Sequence, residues 1–265
     1  MSGAMNEAKI QRYGAELYAA LRERRAIAPL REREPDMTIE DAYAISTHLL
    51  SLRMADGERV VGKKIGVTSR AVQNMLNVHQ PDFGYLTDRM LHQSGAKLPI
   101  STTMIQPRAE GEIAFLLRRD LQGPGVTNAE VLSATDEVYP CFEIVDSRVE
   151  DWRIKIEDTV ADNASCGLFV LGDRGVDPRK VDLVTCGMVV EKNGEILSTG
   201  AGAAALGSPV NCVAWLANTM GRLGTGLKAG EIILSGSLVP LEPVVAGDSM
   251  HLTIGGIGEA SVEFV

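Results

Sequence analysis

The sequence has no long run of lysine and arginine, and its formal net charge is −9 at pH 7. That balance excludes nucleic acid and anionic membrane surfaces as natural partners, since both are held by concentrated positive charge. No apolar run approaches the ~20 residues that a membrane-spanning helix needs. The opening residues, MSGAMNEAKI, lack the basic stretch and apolar stretch of a secretory leader. Met5 would serve as a start as well as Met1, so the first residues read as a cloning remnant, and the expected location is cytoplasmic. Cysteine is scarce. Cys141, Cys166, Cys186 and Cys212 are widely spaced, form no CxxC, and mostly lie among apolar residues. Reduced, buried thiols are expected, rather than disulfides or a zinc site. His48, His79, His92 and His251 show no metal-ligand spacing, and neither a G-x-S-x-G elbow nor a catalytic Cys–His signature occurs. Repeats and low-complexity segments are absent.

What the chain does have is 265 residues, 45% of them hydrophobic, enough for one large domain or a core domain with a small accessory part. The first third reads as helix: Ile10, Tyr13, Leu17 and Leu21 keep helical spacing, and Thr38 is placed to cap a second helix. From Val60 the pattern changes. RVVGKKIGV reads as a strand, TSRAVQNML as a helix, and NVHQPDFGYL as a loop with Pro and Gly. A strand over Ala109–Leu117 follows, then a short helix opened by a Thr127/Glu130 capping box, then a strand in VYPCFEIVDSR. Asn193-Gly194 between two β-like runs predicts a hairpin. Ser208-Pro209 supply the cap and first position of another helix, and GEIILSG, DSMHLTI and EASVEFV close the chain as strands. Strands and helices do not alternate, so the expected class is α+β. The only boundary lies near residues 58–80, giving a mainly helical part, 1–70, and a β-rich catalytic domain, 71–265.

Within QPRAEGEIAF, strand alternation puts Glu110, Glu112 and Ala114 on one face and Gly111, Ile113 and Phe115 on the other. Two carboxylates side by side in an apolar segment repel, and burying them unpaired is costly. Glu143 likewise interrupts an apolar run in CFEIVDSR. Three carboxylates on neighbouring strands would give the hard oxygen ligands that Mg²⁺ and Mn²⁺ prefer. A solvated strand face with Arg108 as local partner is the alternative, and spacing alone leaves both open. Lys63 and Lys64 are strand neighbours, so one is expected in solvent and the other toward the interior, where it could hold a substrate carboxylate or act as a base. Residues 200–207, GAGAAALG, contain GxGxxA, but they follow a hairpin instead of opening a βαβ unit, no acidic residue ends a second strand, and no GK[ST] follows. A tight turn with close backbone packing is the better reading.

In order along the chain, GKKIGVTS, VHQPDFGYL, QPRAEGEIAF, CFEIVDSR, DTVADNASCG, GAGAAALGSPVNCVAWLAN and IGGIGEASVEFV resemble the motifs of the 2-hydroxypenta-2,4-dienoate hydratases of aromatic meta-cleavage pathways. That family belongs to the fumarylacetoacetate-hydrolase-like superfamily. The resemblance implies a mixed, rolled β-structure, Mg²⁺ or Mn²⁺ held by Glu110, Glu112 and Glu143, and a hydro-lyase acting on a 2-hydroxy-2,4-dienoate. It implies Lys64 and Asp82 as catalytic residues, with Lys64 also contacting substrate beside Asn163 and Ser165. A homo-oligomer, able to associate with a related decarboxylase, is implied as well. The related 4-oxalocrotonate decarboxylases share the metal triad and the lysine; Asp82, an acid they typically lack, points to the hydratase. A nucleotide-dependent oxidoreductase resting on residues 200–207 and a non-catalytic assembly subunit are the readings from other classes.

Overall fold

The computed structural model describes residues 5–69, 73, 78 and 80–265. Its strands are β1 (Val60–Gly66), β2 (Asp82–Thr87), β3 (Leu91–Gln93), β4 (Ala96–Leu98), β5 (Pro107–Leu117), β6 (Thr135–Asp146), β7 (Cys166–Leu171), β8 (Gly187–Lys192), β9 (Glu195–Ala201), β10 (Ile232–Leu234), β11 (Glu242–Pro243), β12 (Ser249–Ile254) and β13 (Gly258–Phe264). The larger sheet runs β2-β1-β10-β5-β6-β7-β3, with β11 added beside β5; the smaller runs β4-β13-β12-β8-β9. In the larger sheet β1 pairs with β10, and β3 with β7, in parallel, and the other pairs are antiparallel.

The edges of the larger sheet explain its shape. β2 and β3 stand at opposite ends of the strand order, yet only Asp88–Met90 separate them in the chain. Such a link reaches about 15 Å at most, whereas the edges of a flat sheet this wide would stand roughly 30 Å apart. The sheet therefore rolls, bringing the end of β2 within that reach of the start of β3. Leu86, Met90, Ala114, Cys141, Cys166, Phe169, Leu171 and Leu234 form a small apolar cluster on the inner face of the roll.

Helices cover the outside. Glu7–Glu23 is capped by Asn6, Ile39–Ala55 by a Thr38/Asp41 capping box, and Pro209–Arg222 by Ser208 with Pro209 in the first turn. Phe83 of β2 packs between Tyr43 and Trp215 of two of these helices, at ring separations of 5.7 and 6.3 Å. A single hydrophobic cluster joins Tyr13 and Leu17 of the first helix to Phe83 and Phe115 of the rolled sheet and to Leu252 and Phe264 of the smaller one. Helices and both sheets thus share a core, and the boundary expected near 58–80 falls on β1 and the segment leading to β2.

Asn193 and Gly194 turn the β8–β9 hairpin with φ of 56° and 83°, the left-handed pair that such turns require. In residues 200–207 a Cβ on Gly200 would lie 1.9 Å from the Leu238 carbonyl oxygen, and one on Gly202 1.8 Å from that of Leu183. These glycines serve close backbone packing. All four cysteines are free and buried. One expectation is corrected: the loop expected from Pro81 and Gly84 is in its second half strand β2, antiparallel to β1. Gly84 marks a close approach instead of a turn, because a Cβ there would lie 2.4 Å from the Asn163 carbonyl oxygen. Most of the helix expected in TSRAVQNML lies outside the described residues.

Gly62 sits where β1 meets β10, and a Cβ on it would lie 1.9 Å from the Ile232 carbonyl oxygen. Backbone cannot yield as a flexible side chain can. Gly62→Ala is expected to cost about 3 kcal/mol or more, read as a lowered midpoint in urea unfolding followed by far-ultraviolet circular dichroism.

Candidate metal and active site

β5 and β6 pair with Glu110 directly opposite Glu143 and Glu112 opposite Cys141. Alternation sends Glu110, Glu112 and Glu143 to the inner face of the roll. On the outer face, a Cβ on Gly111 would lie 2.5 Å from the Met188 sulfur of β8. The glycine between the two glutamates thus lets the smaller sheet close on the back of β5. Carboxylate oxygens of the three glutamates all lie within 4.8 Å of one another.

Lys64 reaches this cluster from β1, two strands away across β10. Its Nζ stands 3.3 Å from Glu143 Oε1, an ion pair without hydrogen-bond geometry. Asp82 lies opposite Gly66 in the β1–β2 register, on the same inner face as Lys64. A Cβ on Gly66 would lie 2.4 Å from Asp82 Oδ1 and 3.0 Å from Lys64 Nζ, so this glycine leaves the space that the two charged groups share. Glu112 Oε2 accepts a 2.9 Å hydrogen bond from the Gly236 amide.

Four carboxylates face one ammonium here, and the imbalance shows. Burial pushes the Glu112, Glu143 and Asp82 carboxyls up, with Lys64 pulling each of them back. Glu110, the most accessible of the triad, is pushed up to about 8 by burial and by Glu143. For Lys64, burial favours the neutral amine, but Glu143 and Asp82 overrule it and hold the ammonium well above the ordinary lysine range. Glu112 Oε1, both oxygens of Glu143 and Asp82 Oδ1 are buried without a hydrogen-bond partner. Buried oxygens of this kind need a cation or protons. A divalent cation fits the donor set: hard oxygens, converging, with excess negative charge.

Lys63 corrects an expectation. It does point away from the carboxylates, yet it is not in solvent: only 3% of it is exposed. The outer face of β1 lies beneath the helices, where Lys63 Nζ donates to both Glu231 oxygens at 2.6 and 2.7 Å and sits 5.6 Å from the Tyr85 ring centre. Asn163 and Ser165 are buried, but their side chains are engaged elsewhere. The Asn163 amide pairs with the Tyr85 main chain, and Ser165 Oγ donates to Asp162 Oδ2 at 3.3 Å. No hydrogen bond joins either to the carboxylate cluster. Asn163, Ala164 and Ser165 each have φ of 53°, a left-handed run that costs roughly 1–2 kcal/mol per residue.

Sequence reasoning passed over Arg148, Asp162, Gly66 and Glu231. Arg148 is 1% exposed, and its Nε donates to Asp162 Oδ1 at 2.6 Å. The available signal was an arginine ending an apolar strand and an aspartate inside VADNAS.

In metal-free protein the folded state keeps a proton on Glu110 between the ordinary carboxylate value of 4.5 and about 8, where the unfolded chain has released it. Stability should fall as pH rises through that window and should stop falling when Mg²⁺ or Mn²⁺ is added. Thermal unfolding should also shift upward with the metal, by about 2.7 kcal/mol at a hundredfold excess over Kd, and less in Glu110→Gln. On the outer face, Lys63→Met strands a buried carboxylate and should cost about 3 kcal/mol in denaturant unfolding. Lys63→Met with Glu231→Met should recover most of it.

Residues 56–265 match the family model described as fumarylacetoacetate (FAA) hydrolase C-terminal. A 2-hydroxypent-2,4-dienoate hydratase of Pseudomonas putida is 69% identical over 220 residues, covering 83% of this chain and 99% of that protein. A 2-hydroxyhexa-2,4-dienoate hydratase of Comamonas testosteroni is 59% identical over 256 residues, 96% and 97% of the two chains. Among solved structures, 4-oxalocrotonate decarboxylase from Pseudomonas putida G7, complexed with magnesium and adipate, superposes with a TM-score of 0.96 at 34% identity over 100% of both chains. An α+β fold of rolled mixed sheet, a buried carboxylate cluster and hydratase relatives spanning nearly the whole chain agree: the protein belongs to the fumarylacetoacetate hydrolase family and, within it, to the 2-hydroxypenta-2,4-dienoate hydratases.

Proposed function

We propose that this enzyme adds water to 2-hydroxypenta-2,4-dienoate to give 4-hydroxy-2-oxopentanoate, a hydro-lyase step in the meta-cleavage degradation of aromatic compounds. The observation that carries the reading is the meeting of Lys64, Asp82 and three clustered glutamates inside one rolled sheet, in a chain whose relatives are named as dienoate hydratases.

The dienol is electron-rich and does not accept water directly. Loss of its hydroxyl proton and protonation at C5 give an α,β-unsaturated ketone; hydroxide equivalent then adds at C4 while a proton goes to C3. Both steps develop negative charge on the C2 oxygen. Mg²⁺ or Mn²⁺, which Glu110, Glu112 and Glu143 would hold, supplies Lewis-acid stabilisation of that charge. Lys64, kept as an ammonium by Glu143 and Asp82, attracts the substrate carboxylate and assists proton transfer at C2 and C3. Asp82 has one buried oxygen free, and its raised pKa suits a group that takes a proton from water and returns it near C4. Direct substrate contact by Asn163 and Ser165, as the family resemblance implies, would have to come from their main chain or from exchange of the bonds they make.

Decarboxylation of 4-oxalocrotonate is the second reading, favoured by the 34% identical structure. Both chemistries use an enolate, so Asp82 discriminates: hydration alone needs a group to guide water. The hydratase reading also makes the enzyme a cytoplasmic homo-oligomer able to associate with a related decarboxylase.

Dienol ultraviolet absorbance should decay only with Mg²⁺ or Mn²⁺ present, and mass spectrometry should show gain of one water. Carbon dioxide released from 4-oxalocrotonate, with the dienol untouched, would turn the assignment to the decarboxylase. Asp82→Asn should keep metal binding yet lose hydration by about 10²-fold or more, while deuterium exchange at C3 or C5 persists.

A further inference from the structure

We propose that Asn163 is a positioning residue whose side-chain amide, locked to the main chain of Tyr85, sets where β2 presents Asp82 to the carboxylate cluster. This rests on the hydratase reading, in which Asp82 guides water.

Among the described residues β2 is an edge of the rolled sheet, with β1 on one side. On its open side Asn163 takes the place of a neighbouring strand. Its Oδ1 accepts from the Tyr85 amide at 2.7 Å and its Nδ2 donates to the Tyr85 carbonyl at 2.9 Å. Both polar ends of the amide are therefore committed to one residue of β2. The approach is close: a Cβ on Gly84 would lie 2.4 Å from the Asn163 carbonyl oxygen. Asp82 lies two residues before Gly84, at the start of the same strand, so a shift of β2 carries its carboxylate along.

The turn that offers this amide does not hold its left-handed shape by itself, because Asn163, Ala164 and Ser165 all have φ of 53°. Arg148 holds it from both ends. It donates through its amide and Nε to the two Asp162 carboxylate oxygens at 2.9 and 2.6 Å, and through Nη2 to the Asp162 carbonyl. Through Nη1 it reaches the Cys166 carbonyl at 2.9 Å and the Asp146 carbonyl at 2.5 Å. Asp146 closes β6, the strand that carries Glu143. Arg148 and Asn163 together tie the strand of a carboxylate ligand to the strand of the acid/base, with both polar atoms of the Asn163 side chain bound to Tyr85.

Asn163→Gly is the informative variant, since glycine accepts φ of 53° while the amide is lost. In steady-state assays it should lower kcat for hydration about 10- to 100-fold, the scale of a misplaced catalytic group, with KM nearly unchanged. The rise in Tm on adding Mg²⁺ and the deuterium exchange at C3 or C5 should persist. Combined with Asp82→Asn it should be no slower than Asp82→Asn alone, because both changes remove one function. Wild-type kcat in folded Asn163→Gly, a rise in KM alone, or a loss that multiplies that of Asp82→Asn would each overturn the proposal while leaving the role of Asp82 intact. Wild-type hydration by Asp82→Asn would instead remove that role and the proposal with it. If Asn163→Gly yields no folded protein, Asn163→Asp decides by the same criteria: it keeps the acceptor for Tyr85 and sets a carboxylate oxygen against the Tyr85 carbonyl.

Discussion

Three glutamates and an aspartate facing one ammonium inside an apolar roll is the constraint on which the rest of the structure depends. Burial makes their mutual repulsion strong, since little water is left to screen it. Nearby features answer that problem. Gly66 makes room for Lys64 and Asp82 to meet, the Gly236 amide satisfies one oxygen of Glu112, and Gly111 lets a second sheet seal the back of the strand. Protein groups leave three more carboxylates than ammonium groups, and a divalent cation would offset two of those charges. An apolar core would have been cheaper to fold; the charge is kept for chemistry.

The two faces of β1 balance their charges separately. Lys64 answers the carboxylates inside the roll, and Lys63 answers Glu231 beneath the helices. Adjacent residues of identical type thus lie in unlike settings. One ammonium is held above its ordinary range by several carboxylates, and the other is pulled below it by burial despite its single partner.

Local features were legible in the sequence because their causes are local. The Thr38 and Thr127 capping boxes, the Asn193-Gly194 hairpin and the Ser208-Pro209 helix start each lie within a few residues. Strand alternation set Lys63 and Lys64 on opposite faces, and set Glu110 and Glu112 on one. It could not tell that the outer face of β1 is roofed by helices, so Lys63 was expected in water. β2 was misjudged because Pro81 and Gly84 signal a loop when only neighbours are considered; the cause of Gly84 is Asn163, far away in the chain. Glu143 stood out as a charge in an apolar run, but its place opposite Glu110 is a matter of register. The Arg148 clamp joins backbone groups of three separate segments, and no spacing rule encodes that.

The position of β10 has a consequence for the newly made chain. This short strand is inserted between β1, which bears Lys64, and β5, which bears Glu110 and Glu112, and it comes from residues 232–234. Until the ribosome has delivered that stretch, the gap between ammonium and carboxylates has no spacer and the roll cannot close. The charged pocket is therefore completed only once residues 232–234 have been made, when the apolar cluster that lines the roll is also present.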